Sequence, residues 1–220
     1  MTKLLLLGAV SIFCVSFGKL ANAQLGGGQA YIGAALGAGS ITFDGTDQAI
    51  EHEEDQFFDT LGPDGVIFMG YDAPGPVRVE GRMTAMRLEE KFDLISAGTI
   101  VNTTLDFTSI GATVNMYAET DSDQGLNLYL GGGVGVSYNT GEMDILLSGL
   151  TTGSYTEEAQ ETGLAYNAVI GVSSTLSEGL EGFAEFAYNN HGFLSFPDAG
   201  SDVAYGISDV KFGLGLRGFF

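Results

Sequence analysis

The chain is poor in residues that do acid–base or nucleophilic chemistry, with two histidines, His52 and His191, and one cysteine, Cys14. The segment Asn189-Asn190-His191-Gly192-Phe193-Leu194-Ser195 pairs an imidazole able to act as general base with a hydroxyl able to act as nucleophile. Four residues apart on a strand keeps one parity but separates Cα atoms by ~13 Å, too far for a direct hydrogen bond. Only a loop would fold the two together. His191 therefore reads as a loop residue, and the protein as a non-enzyme. The sequence holds no P-loop, dinucleotide fingerprint, HExxH motif or Cys/His metal cluster, so neither metal nor cofactor is expected. Gly131-Gly132-Gly133-Val134-Gly135 lies within a strand-like stretch rather than at a strand-to-helix turn, so it is not a phosphate cradle.

The charges follow a different spacing. In Val77-Arg78-Val79-Glu80-Gly81-Arg82-Met83-Thr84 one parity is apolar and the other reads Arg78, Glu80, Arg82, Thr84. At the carboxy-terminus Val210, Phe212, Leu214, Leu216, Gly218 and Phe220 share one parity, while Lys211 and Arg217 lie on the other. Asp106 and Glu185 also stand opposite apolar parities. A period of two belongs to a β-strand, whose side chains alternate between faces. The chemistry on offer is ion pairing on an enclosed face: Arg78, Arg82, Lys211 and Arg217 with Glu80, Asp106 and Glu185. On a lipid-facing surface each Arg or Lys would cost about 2–4 kcal/mol near the midplane, so the charged parity must point inward.

Eight stretches can position these residues: 30–43, 66–71, 77–89, 105–119, 126–138, 164–176, 180–188 and 203–220. Alternation is clearest in 126–138, whose length suits a tilted membrane crossing better than a globular strand. The weakest is 66–71, whose true start would lie a few residues upstream. The connections 72–76, 120–125 and 177–179 are short, whereas 44–65, 90–104, 139–163 and 189–202 are long. Short turns at one end and long loops at the other predict an all-β fold, an eight-stranded antiparallel up-and-down transmembrane β-barrel with both termini at the short-turn end. A barrel of that size encloses little more than its own side chains, so inward charges predict a structural salt-bridge plug. A soluble eight-stranded barrel of the lipocalin kind is the competing architecture, but it turns its polar face outward and has no use for an aromatic terminus.

Met1-Thr2-Lys3 followed by the apolar run 4–17 and Ala21-Asn22-Ala23 has the form of a signal peptide. The run is too short to span a bilayer, which takes ~20 apolar residues. The expected organisation is a cleaved signal over residues 1–23 and one barrel domain over 24–220. Cys14 would leave with the signal, so the exported chain has neither a disulfide nor a thiolate ligand. The formal charge is −20, and two of the eight basic residues, Lys3 and Lys19, belong to the signal. Such acidity argues against a nucleic-acid partner.

With this signal, eight amphipathic strands, alternating loop lengths and terminal Phe220, the chain resembles the small outer-membrane β-barrels of Gram-negative bacteria, in kind the OmpA transmembrane domain and the OmpX-like surface proteins. The resemblance covers nearly all of residues 24–220. It implies integral residence in the outer membrane, among its lipid and lipopolysaccharide. It also implies that the barrel-assembly machinery reads the last strand, here through Phe212, Leu214, Leu216 and Phe220, with Gly218 where an aromatic is often found. Some small outer-membrane barrels are lipid A deacylases or acyltransferases with a His/Ser pair at the outer rim. The deacylase pattern places His two residues before Ser-Asn, which His191 and Ser195 do not match.

The first long connection carries Asp44, Asp47, Glu51, Glu53, Glu54, Asp55, Asp59 and Asp64, and the third carries Glu142, Asp144, Glu157, Glu158 and Glu161. These read as solvated, mutually repelling surface. Their functional alternative is a low-affinity divalent-cation site linking loop to lipopolysaccharide, although no EF-hand spacing is present. A monomer with a structural and surface-interaction role is expected, supporting membrane integrity and displaying acidic loops. The alternatives are a narrow pore gated by Arg–Glu partner switching and a rim-sited lipid A-modifying enzyme.

Overall fold

A computed structural model describes residues 28–45, 60–96, 99–120, 125–149, 152–196 and 203–220. All eight period-two stretches form strands: β1 (Gln29–Gly45), β2 (Thr60–Asp72), β3 (Val77–Ser96), β4 (Thr99–Glu119), β5 (Leu126–Gly149), β6 (Gly153–Ser177), β7 (Leu180–Phe196) and β8 (Val203–Phe219). Every neighbouring pair is antiparallel, and β8 returns to β1 through Tyr31↔Phe219, closing the barrel in sequence order. Closure satisfies backbone donors and acceptors without water, the condition for crossing hydrocarbon with strands. The predicted signal over residues 1–23 lies outside the described residues.

The alternation sets two walls. Ile32, Leu36, Ile67, Val134, Ile170 and Leu214 point outward, Leu36 being 78 % exposed. An apolar band of this extent is intolerable against water but natural against lipid. The opposite parity fills the interior, where glycines make room for aromatic rings from neighbouring strands. A Cβ on Gly70 would collide with the Tyr31 ring, and one on Gly171 with the Tyr129 ring. Each ring covers a bare stretch of neighbouring backbone.

The strands outrun the sequence expectation at one end. The segments 90–104 and 139–163, expected as loops, are mostly ladder: β3 pairs with β4 up to Ser96↔Thr99, and β5 with β6 up to Leu147↔Gly153. A tilted crossing needs about 9–11 residues, whereas β3, β4, β5 and β6 have 20, 21, 24 and 25. The excess stands on the order of 25 Å past the membrane band after tilt. The barrel does not continue around this extension. Pairing of β2 with β3 stops at Asp64↔Met86, and pairing of β6 with β7 at Tyr166↔Asn190. The projecting sheet therefore has two open edges, one on β3 and one on β6, among the described residues.

Polarity reverses in this upper region. Outside stand Arg87, Glu89, Lys91, Glu142 and Glu158; inside, Ile41, Phe43, Met86, Leu88, Leu105, Phe107, Leu194, Phe196 and Ile207 form one apolar cluster. Above the lipid the molecule thus follows the pattern of a soluble barrel.

Candidate functional site

The interior is layered. Next to the short turns, Arg78 and Arg217 share Glu119: Arg78 Nη1 donates to Glu119 Oε2 at 2.5 Å and Arg217 Nη2 to Oε1 at 2.9 Å. Arg217 also pairs with Glu181 through Nε and donates to Ser173 Oγ at 3.0 Å. The Arg78 guanidinium lies 4.5 Å from the centre of the Tyr117 ring and 4.8 Å from that of Tyr129. Cation–π contact of this kind replaces part of the hydration lost on burial.

The middle layer is built on Arg82, 3 % exposed. It pairs with Glu185 and donates from Nη1 to the Tyr117 hydroxyl at 2.7 Å. Its Nε lies 3.5 Å from Glu80 Oε1. Both carboxylates are held by tyrosines: Tyr31 and Tyr117 donate to Glu80 at 2.9 and 3.2 Å, and Tyr129 to Glu185 at 3.2 Å. Taking two ions out of water is unfavourable unless their remaining lone pairs are satisfied, and these hydroxyls satisfy them.

Above it, Lys211 pairs with Asp64, while Asp209 accepts from Asn189 Nδ2 at 2.6 Å. His191 Nε2 lies 2.6 Å from Asp209 Oδ2, and its Nδ1 lies 3.3 Å from Ser109 Oγ. The apolar cluster at the mouth covers this layer.

Of the residues singled out from sequence, Arg78, Glu80, Arg82, Glu185, Lys211 and Arg217 all point into this interior. Their pairing is not the expected one throughout, because Lys211 meets Asp64, and Arg217 meets Glu119 and Glu181. Asp106 does not belong with them. It faces outward and pairs with the exposed Arg87, Nη2 to Oδ2 at 2.5 Å. The apolar parity beside it, Leu105 and Phe107, is the inward one, because at that height the wall has left the lipid and the core is apolar. His191, expected in a loop, lies in β7 with its ring buried, and Ser195 falls on the opposite parity. Asp64, expected in a loop, lies in β2 and points inward.

Sequence parity alone would have reached some of the residues it missed. Asp209 lies on the Lys211 parity within the expected strand 203–220, and Glu119 continues the inward parity of Asn115 and Tyr117. The lumenal tyrosines carry no such mark, since a tyrosine suits either wall. Phe212, Leu214, Leu216 and Phe220 all face outward. Among the described residues no group of three or more carboxylate, histidine or cysteine side chains is arranged to hold a metal ion.

A closed antiparallel barrel, apolar outside and ion-paired within, is a transmembrane β-barrel of the outer-membrane type. The chain belongs to the outer membrane protein beta-barrel domain family, whose model matches residues 5–217. Among solved structures it is similar to Neisserial surface protein A, at 16 % identity and a TM-score of 0.53, covering 88 % of this chain and 99 % of that one. It is likewise similar to the outer membrane protein OprG from Pseudomonas aeruginosa, at 11 % identity and a TM-score of 0.53, covering 88 % and 96 %. At these identities the likeness is one of fold. No curated protein sequence matches the chain.

Proposed function

We propose that the protein is a non-conducting outer-membrane barrel whose work is done at the cell surface by the projecting β3–β6 sheet. The observation that carries this reading is the pairing of a filled lumen with a sheet whose β6 edge, residues 153–165, has no strand partner among the described residues. An unpaired edge offers a row of backbone donors and acceptors to an extended segment of another protein. The carboxylates beside it, Glu157, Glu158 and Glu161, favour a basic partner. Three layers of ion pairs and an apolar mouth count against the pore alternative. The burial of His191 away from Ser195 counts against a lipid A-modifying enzyme.

We further propose that the protein is exported by a cleaved amino-terminal signal and works as a monomer. Phe212, Leu214, Leu216 and Phe220, exposed on one face of the last strand, serve as the assembly signal and then meet lipid. Linkage of acidic residues to lipopolysaccharide through Ca²⁺ or Mg²⁺ would fall to the acidic segment 46–59, which lies outside the described residues.

The test is to replace residues 139–161 with an Asn-Gly hairpin turn, which joins the facing positions Tyr138 and Thr162 of β5 and β6 and removes Glu157, Glu158 and Glu161. Cells producing the shortened barrel should keep its heat-modifiable gel migration but lose the protein-dependent attachment to protein-coated surfaces that the full-length chain confers. Undiminished attachment would sink the surface role assigned to the sheet.

A further inference from the structure

The tip of the β7–β8 hairpin is not held where its neighbours in the barrel would hold it. Above Asn190, β7 leaves the β6 ladder, and its pairing with β8 slips between Asn190 and Phe193. Gly192, at φ +80°, makes the bend, a left-handed backbone that other residues adopt only under strain. The tip then crosses behind β6 and fastens to β5, which is not its barrel neighbour. The His191 carbonyl accepts from Ser137 Oγ and, at 2.6 Å, from Asn139 Nδ2. Leu194 and Phe196 rest on the bare backbone of Gly141.

The side chain of the same residue is bound beneath the tip. His191 lies between Asp209 on β8 and Ser109 on β4. Lys211 of β8 and Asp64 of β2 complete the charged groups of this layer, with Glu161 on the inward parity of β6 at the same level. At this height β1 presents Gly39 and Ile41 and β3 presents Thr84 and Met86, none of them titratable. The core of the layer is unbalanced when the imidazole is neutral: Asp64 and Asp209 face one ammonium. A proton on His191 balances it. A second sign of unfinished coordination is Asp64 Oδ1, buried without a hydrogen-bond partner. It lines a cavity of about 10 Å³ shared with Asp209 and Lys211, about the room one water needs.

We propose that His191 is a proton-operated latch that holds the β7–β8 tip inside the barrel mouth. The protonated ring makes a charge-assisted bond to Asp209 and fixes the backbone whose carbonyl is pinned to β5. Loss of the proton leaves a net buried negative charge under the tip and weakens the contacts through which the ring joins β7 to β8 and β4. Release uncovers the inner face of the β5–β6 hairpin at Gly141, Met143 and Ala159. The latch concerns the mouth alone, and the ion-paired layers below it stay closed.

Amide hydrogen exchange of the folded barrel in lipid nanodiscs at pH 5 and pH 8 tests this. Rates are normalised to the intrinsic amide rate at each pH. The tip amides, 192–196 and 203–207, should exchange at least tenfold faster at pH 8 than at pH 5 after normalisation. In His191→Gln and in Asp209→Asn they should exchange at the fast rate at both values, while residues 126–134 of β5 stay protected and report an intact barrel. Equal normalised rates in the wild-type chain would overturn the latch, whether or not either variant folds. So would a pH dependence that survives His191→Gln.

Discussion

The charges in the lumen are held in place by what would happen if one were removed. Arg82 is the hinge of the middle layer, since Glu185 and Glu80 both lean on it. Arg82→Met should destabilise the barrel by about 3–5 kcal/mol, because it leaves buried carboxylates without a cation. The double change Arg82→Met with Glu185→Gln should lose less than Arg82→Met alone, since it removes one orphaned charge together with its partner. Denaturant midpoints of the refolded barrel in detergent would measure both. At this scale the sequence was informative where an alternation ran unbroken through the membrane band, as in Arg78-Val79-Glu80-Gly81-Arg82. It misled at Asp106 because alternation tells which residues share a face, not which face is dry. Leu105 and Phe107 are as apolar as any lipid-facing pair, yet they point inward because the strand has already risen out of the bilayer.

Strand existence was legible, and strand length was not. The signals that end a strand in a globular protein, clusters of polar residues and glycine, also occur in strands whose outer face meets water. Residues such as Thr140-Gly141-Glu142 and Thr156-Glu157-Glu158 therefore read as loop, although each lies in the β5–β6 ladder. The glycine content, 34 in all, has its explanation at this scale too, in the aromatic rings laid across bare backbone on the neighbouring strand. Gly70→Val would drive a branched side chain into the Tyr31 ring and the β2–β3 ladder. The expected loss is on the order of 1–3 kcal/mol, in the range of overpacked cores. Tyr31 must move as well, so its hydrogen bond to Glu80 should go with it. The temperature at which the heat-modifiable gel band converts would report the change.

The whole molecule divides into two regimes set by solvent. In the lipid band the outer wall is apolar and the interior combines buried ion pairs with aromatic and apolar side chains; above it the interior is mainly apolar and the outer wall is charged. In β3 and β4 the change occurs along an unbroken ladder, with only the polarity of each parity exchanged, whereas β7 shifts parity at the Gly192 bend. Membership of the outer-membrane β-barrel family fits the first regime, and the proposed surface role rests on the second. Both depend on one claim, that the lumen is a packed plug rather than a passage. Single-channel recording of the purified, refolded wild-type barrel in a planar lipid bilayer tests that claim most directly. The account predicts no steady conductance above that of the bare membrane at neutral pH. A large, stable, open-state conductance would contradict it.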